Sequence, residues 1–225
     1  MNTAIIVAAG SGKRFGSKTP KQFLSIADKP LIIHTLERFQ NCASINQIIL
    51  VLPSNQTSEF LKIVSKYGIT KLAKIVGGGA TRAESVYKGF KAVRAMNAGI
   101  IAVHDGARPL VSIEEITDCI QKAQENGAAI LVAPVTDTIK EIKDGKIIKT
   151  IDRNKLRRAL TPQCFRYEIL RKAFENIENL SESATDESYL VEKLGLEVSI
   201  VEGSSRNIKV TTKDDLILVE RLMKD

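Results

Sequence analysis

Thr3-Ala4-Ile5-Ile6-Val7-Ala8-Ala9-Gly10-Ser11-Gly12-Lys13-Arg14-Phe15-Gly16-Ser17-Lys18-Thr19-Pro20-Lys21 is the stretch on which the fold reading turns. Its first part is short, apolar and rich in β-branched side chains, the pattern of a strand covered on both faces. A strand is therefore predicted over residues 4–8. Three glycines and a set of cations follow at once. Glycine lets a backbone approach a phosphate closely, and the end of a first parallel strand is where open α/β sheets bind ligands. Arg offers a planar fork to phosphate oxygens and Lys a point charge. A solvated basic loop is the alternative.

Two known phosphate loops fit poorly. In a dinucleotide fold the third glycine would come one residue earlier than Gly16. The acidic residue expected after the second strand is also missing, because Leu52 is followed by Pro53 and Ser54. A P-loop would need glycine at Ser17 in the run Gly12 to Thr19, with the aspartate of His104-Asp105 as its metal-side partner. A P-loop also continues into a helix, whereas Pro20 pushes Thr19 out of helical geometry.

Outward from this loop, apolar runs alternate with amphipathic segments. Strands are predicted over residues 47–52, 73–76, 100–103, 128–133, 197–201 and 208–210. Helices are predicted over residues 82–94, with Val86, Phe90 and Val93 on one stripe, and 113–123, with Ile113, Ile116, Ile120 and Ala123 likewise. Ser112 with Glu115 and Thr212 with Asp215 form capping boxes, the second before a helix over 216–223. This alternation implies βαβ units, a mainly parallel sheet and right-handed crossovers. Residues 136–152 break the rhythm: isoleucines alternate with charged residues around Asp144-Gly145, a hairpin signal. The hairpin either projects to a partner subunit or packs on its own chain. With no linker, repeat or low-complexity tract, residues 1–225 read as one domain.

Composition narrows the class. The chain has 225 residues, 44% hydrophobic and 26% charged, enough apolar material for a core without staples. Cys42, Cys119 and Cys164 are few, odd in number and far apart, which argues against a disulfide framework or zinc ribbon and for a reducing compartment, the cytoplasm. The two histidines, His34 and His104, read as structural and rule out a multi-histidine metal site. No signal segment and no apolar run of the ~20 residues needed to span a bilayer is visible. The net charge of +7 calls for an anionic partner. Aromatic residues are 5% and Trp is absent, so base-stacking platforms are not expected, and a phosphorylated small molecule is preferred to nucleic acid.

Nine segments then carry a specific resemblance. They are Ala8-Ala9-Gly10-x-Gly12-x-Arg14-Phe15-Gly16, Pro20-Lys21-Gln22-Phe23-Leu24, Gly78-Gly79-x-x-Arg82-x-x-Ser85-Val86, Val103-His104-Asp105-Gly106-Ala107-Arg108-Pro109, and Ala133-Pro134-Val135-x-Asp137-Thr138-Ile139-Lys140. Next come Asp152-Arg153-Asn154-x-Leu156, Leu160-Thr161-Pro162-Gln163, Thr185-Asp186-Glu187 and Gly203-x-x-x-Asn207-Ile208-Lys209-Val210-Thr211. In this order they resemble the 2-C-methyl-D-erythritol 4-phosphate cytidylyltransferase family over nearly the whole chain. Val7 stands where many members carry Pro, Phe15 where Met is frequent and Gly106 where Ala is usual. None of these departures removes a charged or hydroxyl group. Ribitol 5-phosphate cytidylyltransferases share the first loop and are the alternative, but they tend to differ around the His-Asp-x-x-Arg-Pro segment.

The resemblance implies a three-layer, Rossmann-like, mostly parallel sheet of the nucleotidyltransferase type with an inserted hairpin arm. It implies that a phosphate monoester attacks the α-phosphorus of CTP and pyrophosphate leaves, with Mg²⁺ as cofactor. Arg14 and Lys21 would hold the triphosphate and the pentacoordinate centre, joined by Lys209 at the α-phosphate, unless Lys209 is only an exposed salt bridge. Gly10, Ser11 and Gly12 would give backbone N–H groups to the phosphates. Gly79, Arg82 and Ser85 would form the corner that reads cytosine, with a helix-surface serine as the alternative for Ser85. Arg108 would bind the substrate, and Asp105 either its hydroxyls or the metal, whose main ligands would be triphosphate oxygens. Thr138 and Arg153, at the two ends of the hairpin, would grip the polyol phosphate in the other subunit of a homodimer. Thr161, Thr185 and Asp186 complete the set, the two threonines reading equally well as caps or turns.

Overall fold

The protein is described here from a computed structural model covering residues 1–10, 23–176 and 186–224. The chain starts with β1 (Thr3–Val7), then a small ribbon of β2 (Ser25–Ile26) and β3 (Lys29–Pro30), then α1 (Leu31–Asn41). The alternation continues through β4 (Gln47–Leu52), α2 (Thr57–Val64), β5 (Leu72–Gly77), α3 (Arg82–Lys91), β6 (Ile100–Asp105), α4 (Ile113–Asn126) and β7 (Ala128–Pro134). A hairpin follows, β8 (Ile139–Lys143) and β9 (Lys146–Ile151), turned by Asp144 and Gly145, both at positive φ as a two-residue I′ turn requires. The chain closes with β10 (Arg157–Arg166), α5 (Tyr167–Glu175), α6 (Glu187–Glu192), β11 (Ser199–Glu202) and α7 (Lys213–Leu222).

Among the described residues the main sheet has seven strands in the order β11-β7-β10-β6-β1-β4-β5. All its pairings are parallel except those of β10, which runs antiparallel to both β6 and β7. Side chains alternate across each strand, so each strand feeds two cores. On one face Ala4, Ile6, Ile48, Leu50 and Leu52 pack against Ile32, Leu36 and Phe39 of α1 and Ile116, Ile120 and Ala123 of α4. On the other face Ile5, Ile49, Val51, Ile101 and Val103 pack against Val86 and Phe90 of α3, Leu170 and Phe174 of α5, and Leu190 of α6. This is the three-layer α/β fold expected from the sequence. Both capping boxes form, at Ser112–Glu115 and at Thr212–Asp215.

Three sequence expectations are corrected. Residues 208–210 lie outside any strand, their backbone meeting turns and loops instead: Ile208 N donates to Arg206 O at 2.7 Å and Val210 N to Ala107 O, in the loop after β6, at 2.8 Å. β10 was not expected: Pro162 lacks an N–H and normally demotes a strand interior. Here the ladder skips between Ala159 and Gln163, so Pro162 falls in the irregularity, beside a cis Thr161–Pro162 bond. The helix expected over 82–94 stops at Lys91, with Lys74 Nζ bonding the Ala92 carbonyl at 2.9 Å.

Helix α3 lies so near the sheet that a Cβ at Gly89 would meet Ile5 Cγ2 at 2.6 Å and Val51 Cγ2 at 2.9 Å. Alanine has roughly 1 kcal/mol better helix propensity than glycine. The β-branched methyl groups it would strike are buried, and overpacking costs about 1–3 kcal/mol. Gly89→Ala is therefore expected to destabilise, by up to about 2 kcal/mol net, lowering Tm by up to about 8 °C in a calorimetric melt; a raised Tm would mean α3 is free to move outward.

Candidate active site

The parallel strands β1, β4, β5, β6 and β7 end at one rim of the sheet, and the polar residues gather there. A Cβ at Gly78 would lie 2.3 Å from Ala9 Cβ, so the turn after β5 touches the chain just before Gly10. Gly10 is exposed at this rim; Ser11, Gly12, Arg14 and Lys21 lie outside the described residues, as does Thr185.

Asp105, the last residue of β6, is the centre of the rim. Its Oδ1 accepts from Arg82 Nε at 3.0 Å, and its Oδ2 faces Lys209 Nζ at 2.8 Å and Arg108 Nε at 3.4 Å. Arg82, at the first turn of α3, also gives Nη1 to both oxygens of buried Glu187, at 2.7 and 2.9 Å. Burial would push the Asp105 carboxyl up. Arg82 and Lys209, with help from Arg108, outweigh it and hold that carboxyl well below the usual range. Burial likewise opposes the charge on Arg82, but Glu187 and Asp105 keep the guanidinium firmly protonated. Arg108 is lowered by burial, with Asp105 opposing. Among the described residues three cations thus meet two carboxylates here, which leaves one positive charge.

The turn carrying Asp105 and Arg108 is braced from below. Buried His104 is pushed down to about 3, by burial against the pull of Asp105, so its ring is neutral. Its Nε2 donates to the Arg108 carbonyl at 3.1 Å, which leaves Nδ1 to accept from the Thr161 hydroxyl at 3.0 Å. The same hydroxyl oxygen accepts from Asp105 N at 3.2 Å. Asn207 adds a second brace: its Nδ2 donates to the Thr161 carbonyl at 2.9 Å, and its own carbonyl accepts from Arg108 Nη1 at 2.8 Å. Among the described residues Asn207 Oδ1 is buried without a hydrogen-bond partner, a costly state.

Several expected site residues therefore have jobs inside the protein. Thr161 is buried under the Asp105 turn. Ser85 is buried, accepts from Gly79 N at 3.0 Å and donates to the Thr81 carbonyl at 2.9 Å; it shapes the Gly79 turn and is not a surface serine. A Cβ at Gly79 would strike Glu84 Cβ at 2.4 Å, so the turn requires glycine. Asp186 caps α6 through Tyr189 N at 3.1 Å and accepts from Gln163 Nε2 at 2.9 Å. Thr138 and Arg153 are exposed on the hairpin, Arg153 bonding the Thr136 carbonyl, and among the described residues neither bonds to the Asp105 cluster. Glu187, Gln163 and Asn207 were not singled out as site residues, although each stands in a quoted motif.

The metal role considered for Asp105 does not fit. Both of its oxygens are occupied by cations, and among the described residues no group of three His, Cys, Asp or Glu side chains is placed to hold an ion.

A rim of this kind, with cations convergent at the carboxyl edge of a mostly parallel sheet next to a glycine-rich turn, defines a phosphate-handling enzyme of the nucleotidyltransferase class. The 2-C-methyl-D-erythritol 4-phosphate cytidylyltransferase family model matches residues 2–225. The proteins of that name from Bacillus velezensis and Alkaliphilus oremlandii are each 42% identical to this chain, over 98% and 99% of it and 94% of their own lengths. A crystal structure titled 4-diphosphocytidyl-2C-methyl-D-erythritol synthase, from Anaerococcus prevotii, superposes with a TM-score of 0.87 at 28% identity, covering all of this chain and 96% of that one. The chain belongs to the 2-C-methyl-D-erythritol 4-phosphate cytidylyltransferase family.

His104 gives the site a pH signature. Its unfolded pKa is the ordinary value of about 6.5, and its folded value lies near 3. The unfolded chain therefore binds the extra proton between these values, and stability is lost as pH falls through that window. Denaturant titrations are expected to show unfolding free energy dropping from pH 6.5 to 4.5 with a slope approaching about 1.4 kcal/mol per pH unit. His104→Asn should flatten that interval, and an unchanged slope in the variant would exclude His104 as its source.

Proposed function

We propose that the protein transfers a cytidylyl group from CTP to 2-C-methyl-D-erythritol 4-phosphate in isoprenoid precursor biosynthesis. A phosphate oxygen of the polyol phosphate attacks the α-phosphorus, the bond to the β-phosphate breaks, and pyrophosphate leaves with that electron pair. The observation that carries this reading is the three-cation cluster around Asp105 in a chain of this family. Negative charge gathers on the phosphoryl oxygens as the nucleophile arrives, so pre-placed cations favour the transition state without covalent help from the protein. Lys209, one third exposed, would serve the α-phosphate, with Arg14 and Lys21 beside it on the triphosphate. Gly10, Ser11 and Gly12 would bind phosphates through backbone N–H groups, and Gly79 with Arg82 would read the base, on a turn that Ser85 braces. Arg108 and Asp105 would face the polyol phosphate, supported by Thr161, Thr185 and Asp186. Mg²⁺, arriving on the triphosphate oxygens, would offset the charge of the pyrophosphate. Neither ribitol 5-phosphate transfer nor P-loop hydrolysis is favoured by the family match.

We also propose a homodimer through the hairpin. Ile142, Ile147 and Ile148 are 69%, 65% and 55% exposed on it, apolar area that a second copy would cover. Thr138 and Arg153 would then reach the partner's polyol phosphate. The three buried, unpaired cysteines support a reducing, cytoplasmic setting, and no helix among the described residues is long and apolar enough to cross a membrane.

Purified protein given CTP, Mg²⁺ and methylerythritol phosphate is expected to release pyrophosphate, with other nucleotides and ribitol 5-phosphate poor. Preference for ribitol 5-phosphate would move it to the sister activity. Lys21→Ala should lower kcat by a factor on the order of 10² to 10³ while leaving the melting curve in place. Ile147→Asp is expected to sediment as a monomer with little activity; a fully active monomer would exclude the shared site.

A further inference from the structure

Glu187 is a carboxylate that no step above uses. It is 1% exposed and opens α6, whose first turn Gln163 fastens to β10: Gln163 Oε1 accepts from Glu187 N and Ser188 N, each at 3.1 Å. Among the described residues the side-chain bonds of Glu187 go to one atom, Arg82 Nη1, at 2.7 and 2.9 Å. Asp105 holds Arg82 Nε at 3.0 Å. The guanidinium is therefore gripped at two points by two carboxylates far apart in sequence. Its Nη2 makes no hydrogen bond among the described residues, and the side chain stays 27% exposed.

Such a pair is a poor way to stabilise a fold. Desolvating both charges costs several kcal/mol, and apolar substitutes for buried ion pairs are often neutral or better. What two anchors do supply is direction, because a guanidinium is planar and its donors point along fixed lines. A single carboxylate would leave Arg82 free to pivot about that contact.

We propose that Glu187 is a positioning residue for the nucleotide, holding Arg82 so that its free Nη2 edge faces the cytidine triphosphate. The inference rests on the nucleotide reading of this rim and deepens it.

Glu187→Gln tests it, since the amide keeps the volume but loses the charge and one acceptor. Steady-state kinetics should show KM for CTP raised roughly tenfold or more, with KM for methylerythritol phosphate within about twofold and kcat within about threefold, because remote binding energy is lost and the reacting centre is kept. In an Arg82→Ala background the same change should add nothing, since its target is gone. An unaltered KM for CTP, an equal rise in both KM values, or the same penalty without Arg82 would each overturn the proposal. Should Glu187→Gln fail to fold, Arg82→Lys carries the test: one ammonium cannot serve both carboxylates along fixed lines, so KM for CTP should again rise about tenfold, and a normal value would overturn the proposal. If the native enzyme does not consume CTP at all, the nucleotide reading itself fails, before any variant is compared.

Discussion

The Asp105 carboxylate is the constraint around which the rest of this molecule is arranged. A buried carboxylate is expensive unless paired and hydrogen-bonded. Here three cations meet it, from α3, from the turn after β6 and from the segment before α7. The contacts of Arg82 and Lys209 join segments far apart in sequence, whereas Arg108 reaches Asp105 from three residues on along the same turn. The cations are also crowded against one another, and Asp105 with Glu187 makes that crowding tolerable. Without them the rim would hold mutually repelling side chains that splay into solvent. With them, positive charge stays in a fixed place before any substrate arrives, the condition under which electrostatic stabilisation works without reorganisation.

The fold provides that fixed place through two simple properties. Strands of one direction end at one rim, so Val7, Leu52, Gly77 and Asp105 deliver their loops to a common edge. Period-two alternation sinks both faces of β1 and β4 into separate cores, which makes those strands rigid on both sides. β10 is the exception that completes the site. Running the opposite way between β6 and β7, it breaks register at Ala159–Gln163, and the break sets the Thr161 hydroxyl against His104 and Asp105. Its next residue but one, Gln163, carries the first turn of α6 and with it Glu187.

Much of this was legible in the sequence, for reasons that can be named. The β1 and β4 runs are short, almost wholly apolar and rich in Ile and Val, so strand type and double burial follow from composition. Ser112–Glu115 and Thr212–Asp215 are local hydrogen-bond patterns, and both capping boxes form as expected. Asp144-Gly145 specifies a turn through its backbone geometry. What was hidden is non-local. β10 is masked by Pro162 and by two arginines at its start, because its strand character comes from the neighbours it lies between and not from its own residues. Residues 208–210 have strand-like composition, yet Ile208 N bonds the Arg206 carbonyl and Val210 N the Ala107 carbonyl in a loop. Ser85 and Thr161 were quoted for their chemistry, but spacing cannot tell a hydroxyl that faces a ligand from one that braces a turn. Glu187 stands in sequence only as the end of the Thr185-Asp186-Glu187 motif, and only the fold brings Arg82 onto its carboxylate.

The placement of the cations separates a polyphosphate site from a nucleic-acid surface, which the net charge of +7 leaves open. Binding a polymer backbone rewards cations spread along an exposed face, each free to follow a phosphate. Here Arg82 and Arg108 are largely buried, share one carboxylate and are tied to main-chain or acidic partners. Ordering long side chains in this way costs conformational freedom, and a flexible polymer would return little for it. A small ligand with several negative charges at fixed spacing returns much more, since each held cation meets its oxygen without further ordering. Convergence and burial, rather than the amount of charge, therefore argue for a compact, multiply charged ligand at this rim.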